Sequence, residues 1–296
     1  MLYATLDDAQ SVMSASATAA TTAEKNKLLA DLRTVSRRID REFMARRPLF
    51  GPYIETRKLS VRSELVNSYD GTLLITGAGS LLELTTVTQG DTALTIGTNV
   101  EAWPDSAMPP LTHLRLMEGA LYDWYSYSVN DTARPLQVTL TGVWGVHRDY
   151  DHAWMHVDDL QATIDADDTA VTVADADGAD AYGLTPRLSP GNLLKIDDEY
   201  LEVTGVSTNT LTVRRGVNGS TAAAHTGAVG TGGADIATWQ VEEPVRRAVA
   251  RQTALIYARR GAYSSVEIDA IGGTTKYPGD WLTEVRASLA DYAYGV

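Results

Sequence analysis

Cysteine is absent from this chain, which excludes disulfides, thiolate chemistry and Cys-based zinc sites. That absence is neutral on compartment. Long apolar runs are missing as well. None approaches the roughly 18 residues needed to span a bilayer, so no membrane partner is expected. Phenylalanine is scarce, with two Phe against fourteen Tyr and six Trp. Tyr and Trp join apolar area to a polar handle, which suits half-buried interfaces and strands equally. Basic charge is in deficit, leaving a formal charge of −13. Such an excess of acid argues against a general nucleic-acid binder. It is compatible with an acidic wall beside DNA that keeps a duplex from adhering. Residues 1–8 lack the basic start and apolar stretch of a secretory signal, so synthesis in a cytoplasm without a cleaved signal is expected.

What is present is a chain of 296 residues with 44% apolar content, enough for about two or three folded domains. Its charge is uneven. Residues 22–47 carry eight Lys/Arg against four Asp/Glu, whereas residues 151–235 carry four against fourteen.

The two ends read as helix. Thr5 caps a short helix over residues 5–13, with Asp7 and Asp8 in its first turn, where the helix dipole favours acid. A long helix starts near Thr22 and carries Leu28, Leu32, Val35, Ile39 and Phe43 on one face; Pro48 ends it. Near the other end, Glu242-Glu243-Pro244 opens a helix with Val245, Val249, Gln252 or Thr253 and Ile256 on its stripe. Arg259, Arg260 and Gly261 suit its stop. Pro278 opens a last helix with Leu282, Val285 and Leu289 on one face. Neither end buries a core alone, so the stripes are expected to bury against each other.

The middle switches to the period of strands. Short β-type runs at 73–75, 94–96, 114–116 and 138–141 are punctuated by Gly71, Gly77, Gly79, Gly90, Gly97 and Gly119. A second series follows at 170–173, 193–196, 200–203 and 211–213, with Asp197-Asp198 placed as a hairpin turn. The expected fold class is therefore α+β. A discontinuous helical domain (1–48 and 236–296) holds two inserted β modules, barrel or sandwich-like, at 49–150 and 151–235.

Catalytic signatures are poor. Gly77-Ala78-Gly79 lacks the third glycine of a dinucleotide fingerprint, and neither a phosphate-binding loop nor a nucleophile elbow occurs. His147, Asp149, His152 and His156 cluster, and His152/His156 have the spacing of a helical metal pair. The segment reads as strand end and linker, so surface or interface histidines are the simpler account. Asp165-Ala166-Asp167-Asp168 and Asp175-Ala176-Asp177-Gly178 fall short of a complete calcium loop and read as solvated turns. Asp197 and Glu199 raise the thought of glycoside hydrolysis, but a tight turn accounts for them better. No catalytic residue, metal ligand or cofactor is assigned, and no enzyme activity is expected.

Three stretches together resemble the helical core of tailed-bacteriophage head–tail adaptor (connector) proteins. They are Tyr3-Ala4-Thr5-Leu6-Asp7-Asp8, the Arg-rich helix ending Ile39-Asp40-Arg41-Glu42-Phe43, and Pro244-Val245-Arg246-Arg247-Ala248 leading through Ala254-Leu255-Ile256-Tyr257-Ala258-Arg259-Arg260 to the segment around Trp281. Glu55-Thr56-Arg57, residues 71–74, 81–87 and 138–145 are similar to the β insertion of long members of that class. Residues 191–225, carried by Ile196-Asp197-Asp198-Glu199-Tyr200, Leu211-Thr212-Val213-Arg214-Arg215-Gly216 and 219–225, resemble a β module recurrent in phage virion proteins. Minimal adaptors are mostly helix, whereas the larger part of this chain reads as β.

The resemblance implies a dodecameric ring beneath the portal, in the virion neck, that continues the DNA channel toward the tail. Its implied partners are the portal protein, neighbouring copies of itself, the next tail, stopper or neck protein, and DNA passing through the lumen without sequence-specific binding. Candidate subunit or portal contacts are Arg33, Arg37, Arg38, Arg41, Arg46, Arg246, Arg247, Arg251, Arg259, Arg260, Tyr257 and Trp281, since Arg tolerates interface burial better than Lys. The alternative is a glycan- or host-surface-binding virion protein in which Trp103, Tyr122, Trp124, Tyr125 and Tyr127 stack on sugars. A lytic tail enzyme using Glu199 or Asp197 is the weakest of the three.

Overall fold

The computed structural model describes residues 1–13, 19, 21–42, 49–60, 72–75, 80–103, 110–117, 137–183, 185–230, 232–258, 267–268, 274–275, 283–290 and 292. The elements begin with α1 (Leu6–Ser11) and α2 (Thr22–Glu42). Seven strands follow: β1 (Tyr53–Ser60), β2 (Leu73–Leu74), β3 (Ser80–Gln89), β4 (Thr92–Leu94), β5 (Val100–Trp103), β6 (His113–Leu116) and β7 (Gln137–Gly145). A single 3-10 turn at Tyr150–His152 precedes β8 (Trp154–Asp159), β9 (Ala170–Thr172), β10 (Leu193–Ile196), β11 (Glu199–Ser207), β12 (Thr210–Arg214) and β13 (Asp235–Trp239). The last elements are α3 (Glu243–Ala258), β14 (Glu267–Ile268), β15 (Thr274–Thr275) and α4 (Thr283–Ala290). The fold is an α+β mix, mostly antiparallel sheet with four helices among the described residues.

Where the sequence suggests three modules, the residues group into two compact units. One comprises Met1–Phe43, Met155–Val217 and Thr221–Val296; the other comprises Met44–Trp154 with Asn218–Ser220. The acidic β module thus belongs with the helices. Hydrogen bonding explains why. The Leu6 N–H, at the start of α1, donates to the Pro190 carbonyl at 2.9 Å, and Ser189 donates to the Asp7 carboxylate. Gly191 passes so close to α1 that a Cβ there would meet the Ala4 carbonyl oxygen at 3.1 Å, and its φ of +111° also demands glycine. The module boundary shifts too. Residues 235–239, expected to lead into the helical end, form β13 inside the acidic sheet.

In the first unit, α1 starts on a reciprocal capping box between Thr5 and Asp8. Thr21 and Glu24 repeat the device at α2: the Thr21 N–H donates to the Glu24 carboxylate at 2.9 Å, and the Glu24 N–H donates back to the Thr21 hydroxyl at 3.2 Å. The stripe of α2 is buried at Leu28, Leu32, Val35 and Ile39, while Phe43 and Pro48 lie outside the described residues. On α3 the buried face is Val245, Val249, Gln252 and Thr253, with Ile256 half-buried. On α4 it is Val285 and Leu289. α1, α2 and α4 each pack on α3. Gly261, Pro278 and Leu282 lie outside the described residues.

The sheet of this unit runs β8-β13-β10-β11-β12-β9. It curls until its two edges are bonded. The Gln161 N–H, just after β8, donates to the Thr172 carbonyl of β9 at 2.9 Å, and the buried Asp158 carboxylate accepts the Ala174 and Asp175 N–H groups at 3.0 Å each. The enclosed core includes Leu160, Val171, Leu194, Ile196, Leu201, Leu211 and Ile236.

In the second unit, β1-β7-β3-β4 and β2-β6-β5 form two sheets. They share one core, with Leu59, Leu81, Leu140 and Trp144 from the first and Leu73, Val100 and Leu114 from the second.

Candidate functional site: a buried ionic network and an exposed basic helix face

A dense polar arrangement among the described residues starts at a hairpin. β10 and β11 pair with Ile196 opposite Glu199, leaving Asp197-Asp198 as a two-residue turn. Asp197 takes a φ of +50°, a conformation that a short polar side chain tolerates. Strand alternation then drives Glu199 inward, where it is 1% exposed. A buried carboxylate without partners is very costly, and here every lone-pair direction is filled. Arg215 makes a two-pronged bond, Nε to Oε1 and Nη2 to Oε2, both 2.7 Å. The Gly216 N–H donates to Oε1 and the Ala223 N–H to Oε2, each at 3.0 Å. Nε2 of His225 lies 2.9 Å from Oε2, and its Nδ1 lies 2.8 Å from Asp197.

Burial alone would raise the Glu199 pKa. The Arg215 guanidinium, the Ala223 N–H, His225 and the Gly216 N–H outweigh it and hold the group at about 2. An acid that strong, with both oxygens engaged, is a poor proton donor for glycoside hydrolysis. The network is instead a clamp, fastening the 216–225 loop to the hairpin. Arg215 extends it outward, donating through Nη1 to the carbonyls of Asp165 at 2.9 Å and Asp168 at 3.0 Å.

A second buried acid, Glu202 on β11, is 2% exposed and pairs with Arg214 and, at 3.6 Å, with Arg33 of α2. Arg33 is therefore part of the monomer's own packing. So is Arg246, whose carboxylate partners are Glu243 and, at 3.8 Å, Asp8. Burial lowers its pKa, but the charges of Asp8 and Glu243 more than compensate and raise it. Arg38 reaches Glu42 at 3.8 Å. Arg251 and Tyr257 are half-buried. Arg37, Arg41 and Arg247 are exposed. Arg46, Arg259, Arg260 and Trp281 lie outside the described residues. Among the described residues the candidate contacts thus include both internal braces (Arg33, Arg38 and Arg246) and exposed arginines (Arg37, Arg41 and Arg247), a division that helix periodicity does not reveal.

The other sequence motifs resolve into turn and edge chemistry. His152 sits in the 3-10 turn and His156 on β8, so they share no helix face. His152 pairs with Asp149, which raises its pKa through a hydrogen bond and charge. His156 joins Asp235 directly, and their donor atoms lie with that of Asp159 within 4.8 Å of one another. This trio has ligand chemistry, but Nδ1 of its imidazole already bonds Asp235, and His156 and Asp235 are exposed. Asp165 and Asp168 bond within their own turn, and Asp175 accepts the Gly178 N–H while pairing with Arg187 at 3.3 Å. These are the roles of turn acids. A cleft of about 210 Å³ beside α1 is lined by Asp7, Asp180, Arg187 and Arg246, and both arginines already hold internal partners. Of the aromatics considered for sugar stacking, Trp103 is 51% exposed and Tyr122, Trp124, Tyr125 and Tyr127 lie outside the described residues.

Comparison with protein-family models, with curated proteins and with solved structures gives no match. The functional reading accordingly rests on the residues and their arrangement.

Proposed function

We propose that the chain is a structural virion protein, a head–tail adaptor that assembles as a ring under a portal, extends the DNA channel and presents a docking surface for the next neck or tail protein. The observation that carries this reading is the packing of α2 against α3, two amphipathic helices far apart in sequence, in two of the three stretches that resemble adaptor cores. In this reading the helices of both ends form one domain and the β modules are insertions into it. The role is mechanical. The ring closes through unlike faces of adjacent subunits. The acidic balance keeps passing DNA from adhering, because like charge repels the phosphate backbone. The partners are the portal, further copies of the chain and a tail or stopper protein.

The test is a reconstruction of the particle neck, with the chain labelled at its second β unit. Density for the chain as a ring against the portal is the expected result. Label at the tail tip instead, or a purified chain that forms no ring with or without the portal at high concentration, removes the reading.

A further inference from the structure

We infer that the exposed face of α2 docks the acidic turn at Asp165–Asp168 of a second copy of this chain. The inference rests on the ring reading and assigns the surfaces that would join its subunits. Three observations carry it.

The first is which cations of α2 are free. Arg33 and Arg38 have carboxylate partners in the monomer. Arg37 and Arg41 are exposed, lie four residues apart on one helix face, and have no ion-pair partner among the described residues.

The second is how the acidic turn is held. Asp165, Asp167 and Asp168 are all exposed. Beneath them the Arg215 guanidinium grips the Asp165 and Asp168 carbonyls, and the Asp165 N–H donates to the Asp168 carboxylate at 2.8 Å. Arg215 is buried and its charge is engaged by Glu199, so it leaves the three surface carboxylates unneutralised. The buried network therefore gives this turn a fixed shape as well as a charge, which lowers the ordering cost of binding.

The third is that the two patches differ. A two-fold axis passing through either patch would set basic on basic or acid on acid. A head-to-tail contact sets each basic face on the next copy's acidic turn, and that is the contact type that closes a ring. Charge complementarity of this kind fixes partner choice and register. DNA is the weaker occupant for the basic face, because the chain as a whole carries −13.

The test uses three full-length chains: wild type, Arg37→Glu/Arg41→Glu, and Asp167→Arg/Asp168→Arg. Sedimentation measures self-association at low and high salt, with circular dichroism confirming that each chain folds. Each reversal is expected to weaken association by at least about tenfold. An equimolar mixture of the two reversed chains is expected to recover it, because the two kinds of subunit then present opposite charge at every contact. Recovery separates a docking role from simple misfolding. Reversed chains that associate like wild type, or a mixture as weak as its components, overturn the inference. If such reversed chains still close into rings, the adaptor reading survives and only this interface is lost. If wild type associates through these charges yet forms no closed ring even on a portal, the interface stands and the ring reading falls. A reversed helix face that loses duplex binding in a gel shift while keeping its self-association assigns the face to DNA and overturns the inference.

Discussion

The two β-rich parts of this molecule solve the same problem with different chemistry. In the second unit the sheets β1-β7-β3-β4 and β2-β6-β5 close on an apolar core, with Trp144 (1% exposed) as its largest member. Its buried polar side chains among the described residues are Thr72, Gln89 and His147, with no carboxylate; the Trp144 indole N–H donates to the Glu55 carbonyl at 3.0 Å, and the Arg57 guanidinium lies 3.8 Å over the ring. The acidic sheet has an apolar core too, but it also buries Glu199, Glu202, Asp158 and His225. Apolar packing is indifferent to pH, whereas a buried carboxylate is not. The difference predicts that the two parts fail under different stresses.

The largest effect is expected from Trp144→Ala. It removes the biggest buried side chain, the indole hydrogen bond and the seat of Arg57, at a cost of about 3–5 kcal/mol. Hydrogen exchange should show the loss in the amides of β1, β3 and β7, with those of β10–β12 protected as before. Equal loss of protection in both sets would show that the two cores are one cooperative unit.

The next effect is acid sensitivity of the other sheet. Glu199 titrates at about 2 in the fold against an ordinary 4.5. Its contribution is therefore fully present above pH 4.5 and is lost as the pH falls through 2. The shift corresponds to about 3 kcal/mol. Urea midpoints measured between pH 5 and pH 2 should fall for β10–β12. Glu199→Gln should flatten that dependence while starting from a lower stability, because it leaves Arg215 buried beside a neutral amide. A midpoint for β10–β12 that does not move between pH 5 and pH 2 would break the contrast between the two parts.

Sequence pattern and structure agree where the signal is local. The α2 stripe is visible because Leu28, Leu32, Val35 and Ile39 repeat at helical spacing, and the Thr5/Asp8 cap lies within one turn. The hairpin at Asp197-Asp198 is legible for the same reason. β8 and β13 are not. Residues 235–239 are buried at four successive positions, without the alternation that marks a strand, and residues 154–159 bury two adjacent positions. The clamp is harder still. Arg215 lies 16 residues from Glu199 and His225 lies 26, so only folding brings them together. The sorting of arginines on α2 into braces and free cations depends on Glu202, which β11 delivers to Arg33 from far along the chain.

A smaller effect tests the join between α1 and the acidic sheet. Thr5→Ala removes one half of the capping box, leaving the Asp8 N–H without its hydroxyl acceptor. The expected cost is about 1 kcal/mol. Exchange of the Leu6 amide, which is bonded to Pro190, should speed up accordingly. If that amide keeps its protection, α1 is held by the sheet and not by its own cap.

The smallest effect separates internal bracing from surface charge on a single helix. Arg37→Ala and Arg41→Ala touch no described partner and should change stability by less than about 0.5 kcal/mol each. Arg33→Ala removes a partner of buried Glu202 and should cost more, although Arg214 remains to compensate part of the charge. Thermal unfolding of the three variants in parallel gives the ranking. Equal, negligible changes would mean that Arg33 is as free as its neighbours and that Arg214 and the Met1 amino group suffice to neutralise Glu202. A loss at Arg33 alone would leave Arg37 and Arg41 as cations the monomer does not use, which is the property an assembly contact requires.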